Sequence, residues 1–397
     1  MPPVKNEPSF SLGSLSIHLV AGVGPGIRGR HGEEAGLSAL NDFLTGVRVV
    51  DLSRHLPGPL ATAMLADMGA EIVKVEPPAG DELRSFGLSG SAGRSRYFDA
   101  VNSGKTSRRL DLKREEDRQK LMALVETADV VVESFRPGVL DRLGVGFAAM
   151  RQRNPGLICC ALNGFGAKGP LAEQAGHDIN YLALAGTFSF NGTATEPTVG
   201  IPPVADCSAA LFALSAILGA LYRRTVTGSG CEIDAALADA VMPLQLFQVS
   251  DVAATGTTAG PARALTNGGA ACYRLYGTRD GRFVSLGALE PKFWQRFCEA
   301  AGRPDWLARH HDPLPQSALM EEVAALFAAL TMDEANARFA PADCCFAPAL
   351  TLAEALDSPH VVARGLVVDG ADGTRQCLFP VHVDGMPPRP RPAFVDC

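Results

Sequence analysis

Three stretches of this chain carry side chains that could move a proton or form a covalent bond. The first is Gly176-His177-Asp178-Ile179-Asn180-Tyr181. It follows a glycine-rich run, Gly164-Phe165-Gly166-Ala167-Lys168-Gly169-Pro170, and leads into an apolar segment with Leu182 and Leu184. A histidine beside an aspartate at a loop–helix junction has the residue types of acid–base chemistry. The same pattern also reads as a helix N-terminal turn in which Asp178 complements the dipole. The second is Asp206, in Pro202-Pro203-Val204-Ala205-Asp206-Cys207-Ser208, just before an apolar helix. Two readings stand: an N-cap, or a base partly shielded from water with a raised pKa. The third is Glu290, in Leu286-Gly287-Ala288-Leu289-Glu290-Pro291-Lys292-Phe293-Trp294. It follows a strand and precedes a helix opened by proline, which suits a first-turn or cap role.

The elements that must position these groups fall into two patterns. Val47-Arg48-Val49-Val50-Asp51-Leu52 reads as a strand, ended by a turn at Pro57-Gly58-Pro59. Residues 60–68 have helical spacing, and Glu71-Ile72-Val73-Lys74-Val75 is a second strand, which completes a βαβ unit. Residues 120–126 form a further helix. Asp129-Val130-Val131-Val132 and Leu157-Ile158-Cys159-Cys160-Ala161 are further apolar strands. Near-continuous apolar runs between helices predict a doubly wound parallel sheet covered on both faces. The middle differs. Residues 209–224 and 234–249 read as two long helices, broken at Gly228-Ser229-Gly230. After a Gly/Thr/Ala-rich linker, residues 272–276 and 282–286 read as a hairpin through Asp280-Gly281, followed by helices at 292–301 and 319–330. This predicts a smaller α+β domain. Residues 1–44 read as an extension: their Gly22-Val23-Gly24-Pro25-Gly26 run does not complete a phosphate-binding fingerprint and has no strand–helix frame. The ordered part is expected to start at Gly46, and residues 387–392 to be extended.

Composition narrows the classes. The chain has 397 residues, 47% of them apolar and 20% charged, enough to bury a sizeable core across two or three domains. A net charge of −7 argues against a nucleic-acid binder that relies on a basic face. The longest apolar stretch, residues 209–222, is interrupted by Ser215 and Gly219 and reads as a buried core helix too short to span a bilayer. Residues 14–23 lack the basic start and cleavage pattern of a signal peptide. Ten cysteines without a CxxC pair read as reduced, core-packed residues of a cytoplasmic protein. Cysteine and histidine spacings give no zinc pattern, so no metal is expected, and His310-His311 reads as a solvated loop. At this level a nucleotide-binding regulatory protein and an acyl transferase using a carboxylate both remain open.

Several runs resemble the class III CoA-transferase superfamily. They are residues 46–52 (GVRVVDL), 65–76 (LADMGAEIVKVE), Leu110-Asp111-Leu112-Lys113, 128–138 (ADVVVESFRPG), 165–170 and 224–230. The resemblance spans about residues 46–370. Within the superfamily, residues 176–181 (GHDINY) and 287–293 (GALEPKF) resemble the α-methylacyl-CoA racemase branch. In the transferases the position of His177 is usually not histidine, and the aspartate after it is the nucleophile.

The resemblance implies a racemase of 2-methyl-branched acyl-CoA thioesters. His177 and Asp206 would be two bases on opposite faces of the carbon next to the thioester carbonyl. Glu290 would orient His177 from another domain or subunit. Backbone N–H groups of a helix starting near Asp178 would stabilise the enolate. The alternative it admits is a CoA-transferase with Asp178 as nucleophile. CoA-binding positions carry over residue by residue. Leu110, Asp111, Leu112 and Lys113 fall where the adenosine part is held. Ser134, Phe135, Arg136 and Arg142 face the adenine and phosphates, and Gly176, Asn180 and Tyr181 line the pantetheine end. Beyond CoA itself, no cofactor is implied. Two departures stand out. Racemases often carry an arginine where this chain has Pro77, leaving Arg84 or Arg108 to supply that contact. After Asp206 they are commonly glycine-rich, where this chain has Cys207-Ser208-Ala209-Ala210-Leu211. The family fold is an interlocked homodimer. It implies a large domain over residues 45–225 completed by about 365–397, a linker over 226–260, and a small α+β domain over 261–364.

Overall fold

The computed structural model describes residues 40–90, 93–193 and 195–397, so most of the expected N-terminal extension lies outside the described residues. Its last residues do not behave as a tail. Leu40 and Leu44 are buried in the core, and the Leu44 N–H donates to the Met68 carbonyl at 2.7 Å. The packed chain therefore begins before Gly46.

Six parallel strands form the main sheet: β1 (Arg48–Asp51), β2 (Glu71–Glu76), β3 (Lys105–Arg109), β4 (Val130–Glu133), β5 (Ile158–Asn163) and β6 (Glu232–Ala236). Their order is β3-β2-β1-β4-β5-β6. Register pairs Val49 with Ile72 on one side and with Val130 on the other. Successive side chains point to opposite faces. Val49, Ile72, Val130, Val132 and Cys160 enter one core, Val50, Val75, Val131 and Cys159 the other. The first face is covered by α1 (Pro57–Asp67) and α7 (Val204–Thr227), the second by α3 (Glu115–Thr127), α4 (Val139–Arg142) and α5 (Phe147–Arg153). Helices α2 (Arg96–Asn102) and α6 (Asp178–Leu184) complete this part, and α8 (Leu246–Thr255) follows it.

The structure corrects several expectations. Pro57-Gly58-Pro59 is not a turn before the helix but the first turn of α1, where a missing proline N–H costs nothing. The second expected long helix is not one element. Glu232–Ala236 pairs with β5 as the edge strand β6, a 3-10 helix follows at Asp239–Gln245, and α-helix begins only at Leu246. Helix α7 runs 24 residues, long and apolar enough by length and composition to cross a membrane, and half of its most apolar stretch is buried. Its Ala209, Ala213, Leu214 and Ile217 pack on the sheet core.

A separate aromatic core lies among β7 (Tyr273–Gly277), β8 (Phe283–Gly287), α9 (Pro291–Ala301), α10 (Ser317–Ala328), α11 (Met332–Phe339) and β9 (Phe346–Pro348). The three strands form an antiparallel sheet in the order β7-β8-β9. His310 is not solvated: it is buried and stacks on Trp294 with centroids 5.6 Å apart. The cysteines divide, with Cys159, Cys160, Cys272, Cys298 and Cys344 buried but Cys345, Cys377 and Cys397 exposed.

Helices α12 (Leu352–Leu356) and α13 (Pro359–Arg364) and the hairpin β10 (Val367–Asp369) and β11 (Arg375–Cys377) lead the chain back. The Arg391 guanidinium donates to both carboxylate oxygens of the buried Asp67 at 2.9 and 2.8 Å. Val395 bridges to Thr106 beside β3.

Candidate active site

In an open parallel sheet, ligands bind beyond the carboxyl ends of the strands where the strand order reverses. Here that point lies between β1 and β4. The turn after β1 carries Arg54 and His55; the segment after β4 carries Ser134, Phe135 and Arg136. These residues line a cavity of about 470 Å³ together with His177, Tyr181 and Asp206. Asn163, Gly164, Gly176 and Asn180 complete its wall. Two histidine- and carboxylate-bearing segments far apart in sequence thus meet above one sheet edge.

The turn after β1 is held from below. The Lys74 ammonium, wholly buried, donates to the Ser53 carbonyl at 2.9 Å and pairs with Asp81 at 3.0 Å. The Lys105 ammonium, equally buried, contacts Asp51, Thr62, Asn102 and the Pro59 carbonyl at 2.8–3.0 Å. Satisfied buried charges of this kind fix one geometry, because losing any partner leaves a charge unpaired.

His177 occupies the N-cap position of α6. The Asn180 side-chain oxygen accepts its backbone N–H at 3.0 Å. Tyr181 lies under the loop: its hydroxyl donates to the Gly176 carbonyl at 2.6 Å and its ring packs edge-on against Phe165. A Cβ at Gly164 or Gly176 would stand 2.6 or 2.8 Å from Tyr181 atoms, so both positions require glycine for close approach.

Asp206 is the third residue of α7, whose N-cap position is Pro203, and it is not the cap. Asp178 does that work from outside the helix. One of its carboxylate oxygens accepts the N–H groups of Ala205 at 2.7 Å and Asp206 at 3.1 Å. The Asp206 carboxyl is left to face the cavity. Burial, aided by the Asp178 charge and opposed by His177, pushes its pKa up to about 6. His177 is therefore close enough to act on Asp206 electrostatically. The Asp206 carboxyl can therefore take up and release a proton close to neutral pH beside His177.

A second groove, of about 140 Å³, adjoins the cavity and shares Arg54 and Phe135 with it. The Arg54 guanidinium stands 5.4 Å from the Phe135 ring centroid. Leu110, Asp111, Leu112 and Lys113 all line the groove, as does Pro77. Arg54 and Lys113, the cations in its lining, suit an anionic group such as a phosphate. Of the residues expected near a nucleotide, Arg142 is exposed on α4 and lines neither cavity. Arg84 is engaged elsewhere, donating to both oxygens of Glu76 at 2.7 Å and to Asp396 at 3.0 and 3.1 Å. Arg108 is exposed at the end of β3.

Glu290 stands apart. It occupies the N-cap position of α9 without a side-chain cap bond, and it does not line the cavity of His177 and Asp206. It lies beside Cys345, whose thiol pKa is raised by burial and then by the Glu290 charge. Cys345, Tyr273, Arg274 and Asn267 line the largest of these cavities, about 710 Å³. Arg54, His55 and Gln174 are cavity residues that the motifs did not single out. The signal for the first two was their place just after β1, at the reversal of strand order. Among the described residues, no group of three or more histidine, cysteine or carboxylate side chains is arranged to hold a metal ion.

A parallel sheet with a cleft at its reversal point, a groove beside it and a His–Asp pair in the cleft place the chain among α/β proteins with a ligand site at the carboxyl ends of the strands. The chain matches the model of CoA-transferase family III over residues 44–394, and it belongs to that family. It is 34% identical to the α-methylacyl-CoA racemase of Homo sapiens over 326 residues, 81% of each chain. It is 33% identical to the succinyl-CoA:mesaconate CoA-transferase of Haloarcula hispanica over 360 residues, 85% of this chain and 87% of that one. The fold matches the crystal structure of a CAIB/BAIF family protein from Brucella suis with a TM-score of 0.78 and 29% identity, covering 88% and 95% of the two chains. Relatives of both reaction types are thus similar to this chain across most of its length.

Proposed function

We propose that the protein is an acyl-CoA racemase or epimerase that inverts the carbon next to the thioester of 2-methyl-branched acyl-CoA. The observation that carries this reading is the placement of Asp178. Its carboxylate is engaged with the N-terminus of α7, while His177 and Asp206 face one cavity. A transferase nucleophile must instead present its carboxylate to the thioester carbon.

CoA lies with its nucleotide end in the groove beside Leu110 and Phe135 and its thioester between His177 and Asp206. One base takes the α-proton. The C–H electron pair moves into the carbonyl, giving an enolate that the N–H groups of the first turn of α6 stabilise. The other base then gives its proton to the opposite face. Reverse turnover exchanges the two roles, so one proton must reside on the pair at the start of each cycle.

Glu290 completes the site from a second copy of the chain. Support for a homodimer comes from apolar surface that a single chain leaves open. Helix α8 buries none of its residues, and Leu246, Phe247, Val249 and Val252 are exposed on it. On this reading residues 45–225 with about 365–397 form the large domain, 226–260 the linker and 261–364 the small domain, in a cytoplasmic enzyme that needs no cofactor beyond CoA.

The test is α-proton exchange. The purified protein is incubated in D₂O with one enantiomer of a 2-methylacyl-CoA, and deuterium at C2 is followed together with configuration. Exchange with racemisation, lost in both His177→Ala and Asp206→Ala, is the expected result. No exchange, with CoA passing to an added free acid, would move the assignment to a transferase using Asp178.

A further inference from the structure

Glu133, the last residue of β4, is a buried carboxylate that the mechanism above does not use. It is only 7% exposed, yet it lines a side cavity of about 360 Å³ behind the cleft, together with Arg136, Asp141, Asn163 and Glu232. Its carboxylate accepts the backbone N–H of Phe135 at 2.6 Å. That bond sets the first step of the chain away from the sheet. The next residues are the ones that matter to the ligand: Phe135 borders both the groove and the cavity, and Arg136 borders the cavity on one side and the side pocket on the other. The Ser134 hydroxyl, in the same segment, accepts the Arg54 N–H at 2.9 Å. The Phe135 ring carries the Arg54 guanidinium. One carboxylate therefore governs where the Arg54–Phe135 pair stands at the junction of groove and cavity.

We propose that Glu133 is a positioning residue for the CoA part of the substrate, holding Phe135 and Arg54 in place through its bond to the Phe135 backbone. The proposal rests on reading the cleft as a CoA-thioester site. Glu133 lines neither the groove nor the cavity of His177 and Asp206, and acts only through the Ser134–Arg136 segment.

The strength of this hold depends on ionisation. Burial pushes Glu133 up to about 7, with the Phe135 N–H pulling it down and Asp141 and Asp234 adding to the rise. The groups facing it are known. Asp141 comes from α4, Asp234 and Glu232 from β6, the Cys160 thiol from β5, and Arg136 from its own segment. Arg151 of α5 is paired with Glu232 at 3.1 Å and so offsets that charge. As pH rises through neutrality the acid becomes a carboxylate, and its bond to Phe135 becomes charge-assisted and stronger. CoA should then bind more tightly at higher pH for a reason located in the protein.

The experiment is calorimetric titration of the full chain with free coenzyme A at pH 6, 7 and 8, for the native protein, Glu133→Gln and Glu133→Ala. Glutamine keeps an acceptor for the Phe135 N–H but cannot ionise. Ionisation of the CoA phosphates is common to all three proteins and cancels in their ratios. At pH 8 the native protein should bind about fivefold more tightly than Glu133→Gln, the difference between a charged and a neutral acceptor. At pH 6 the two should agree within about twofold, and Glu133→Ala should be weaker than both throughout. A native-to-Gln ratio that does not change with pH, or an alanine variant that binds as the native protein does, would overturn the proposal. If the alanine variant does not fold, the ratio for Glu133→Gln decides alone. A native protein that binds no CoA at any pH would overturn the reading of the cleft, and this proposal with it.

Discussion

The carboxylate of Asp178 accepts the backbone N–H of Asp206 at 3.1 Å, so the residue after one proposed base fixes the helix that carries the other. The bond to Ala205 at 2.7 Å comes from the same oxygen. This arrangement separates the two reactions of the family by a single substitution. Asp178→Asn keeps a side-chain oxygen able to accept both N–H groups but cannot form an anhydride. A racemase should keep α-proton exchange within about tenfold in this variant. A transferase would lose turnover altogether. Asp178→Ala removes the cap and should cost about 1 kcal/mol of stability, the usual loss on deleting an N-cap side chain. Exchange rates and thermal melting of the two variants, side by side, check both statements. A stable but inactive asparagine variant would count against the racemase.

The shifted Asp206 carboxyl makes a pH prediction whose form is dictated by thermodynamics. The two epimers at the α-carbon are nearly equally stable, because the other stereocentres lie far away in CoA, so kcat/KM must be nearly the same from either side at every pH. The working state has one proton shared by His177 and Asp206. Protonating both abolishes the base, so the profile should fall below about pH 6, where Asp206 takes up its proton. A second limb at higher pH follows when both are deprotonated. An acid limb near pH 6 in the native profile supports the pair; an acid limb that survives in Asp206→Asn would remove Asp206 from it.

The same shift affects stability. The folded pKa of Asp206 lies above its unfolded value, so the folded chain binds more protons between about pH 4 and 6. Stability therefore falls as pH rises through that window, and at pH 7 the ionised carboxylate is a cost of function. Asp206→Asn should melt higher at pH 7, by about 2 °C, and no higher below pH 4. Equal melting temperatures at both pH values would show that burial does not strain this carboxylate.

What could be read in advance follows from where the information sits. Strands β1, β2, β4 and β5 are apolar on both faces and stand out as runs, because a parallel sheet buried between helices demands it. Strand β3 is Lys-Thr-Ser-Arg-Arg, and nothing local marks it. Its Lys105 is tolerated only because Asp51, Thr62 and Asn102 converge on it from distant positions. Residues 234–236 fall inside the expected helix 234–249, and only the neighbouring β5 makes Glu232–Ala236 a strand. His177 and Asp206 were visible as reactive types at loop–helix junctions. Asp178 was legible as a residue but not as the cap of a helix whose start lies far along the chain. Arg54 and Glu133 were hidden as a turn residue and a strand end, since their significance comes from the reversal of strand order.

Tyr181 offers a test of how tightly the histidine loop must be held. Its hydroxyl bonds the Gly176 carbonyl, one residue before His177, and its ring fills the space that Gly164 and Gly176 leave. Tyr181→Phe keeps the ring and removes the bond, at a cost of about 1 kcal/mol in stability. Because His177 would then sample wider positions, kcat for exchange should fall about tenfold while CoA binding is retained. Gly176→Ala should do worse on both counts, as its Cβ meets the ring at 2.8 Å. Unchanged kcat in Tyr181→Phe would show that the loop holds itself.

The strongest test of the two-chain site uses two inactive variants together. Glu290 does not line the cavity of His177 in its own chain, and a role beside that histidine requires it to arrive from another copy. His177→Ala and Glu290→Ala should each be inactive or nearly so when produced alone. Produced in one cell, random pairing puts half of the dimers in mixed form. In a mixed dimer one site carries both lesions and the other carries none, so about a quarter of all sites should be intact. Co-expressed protein should therefore recover about a quarter of native activity, while the same variants mixed after purification should recover it only as fast as the dimer exchanges. Charge placed on the open face of α8 by Phe247→Asp should weaken the dimer and lower this recovery, as read by sedimentation and exchange rate on the same sample. No recovery on co-expression, with mixed dimers shown to be present, would put Glu290 outside the site of either chain and leave His177 to be oriented by Asn180 and the α6 turn alone.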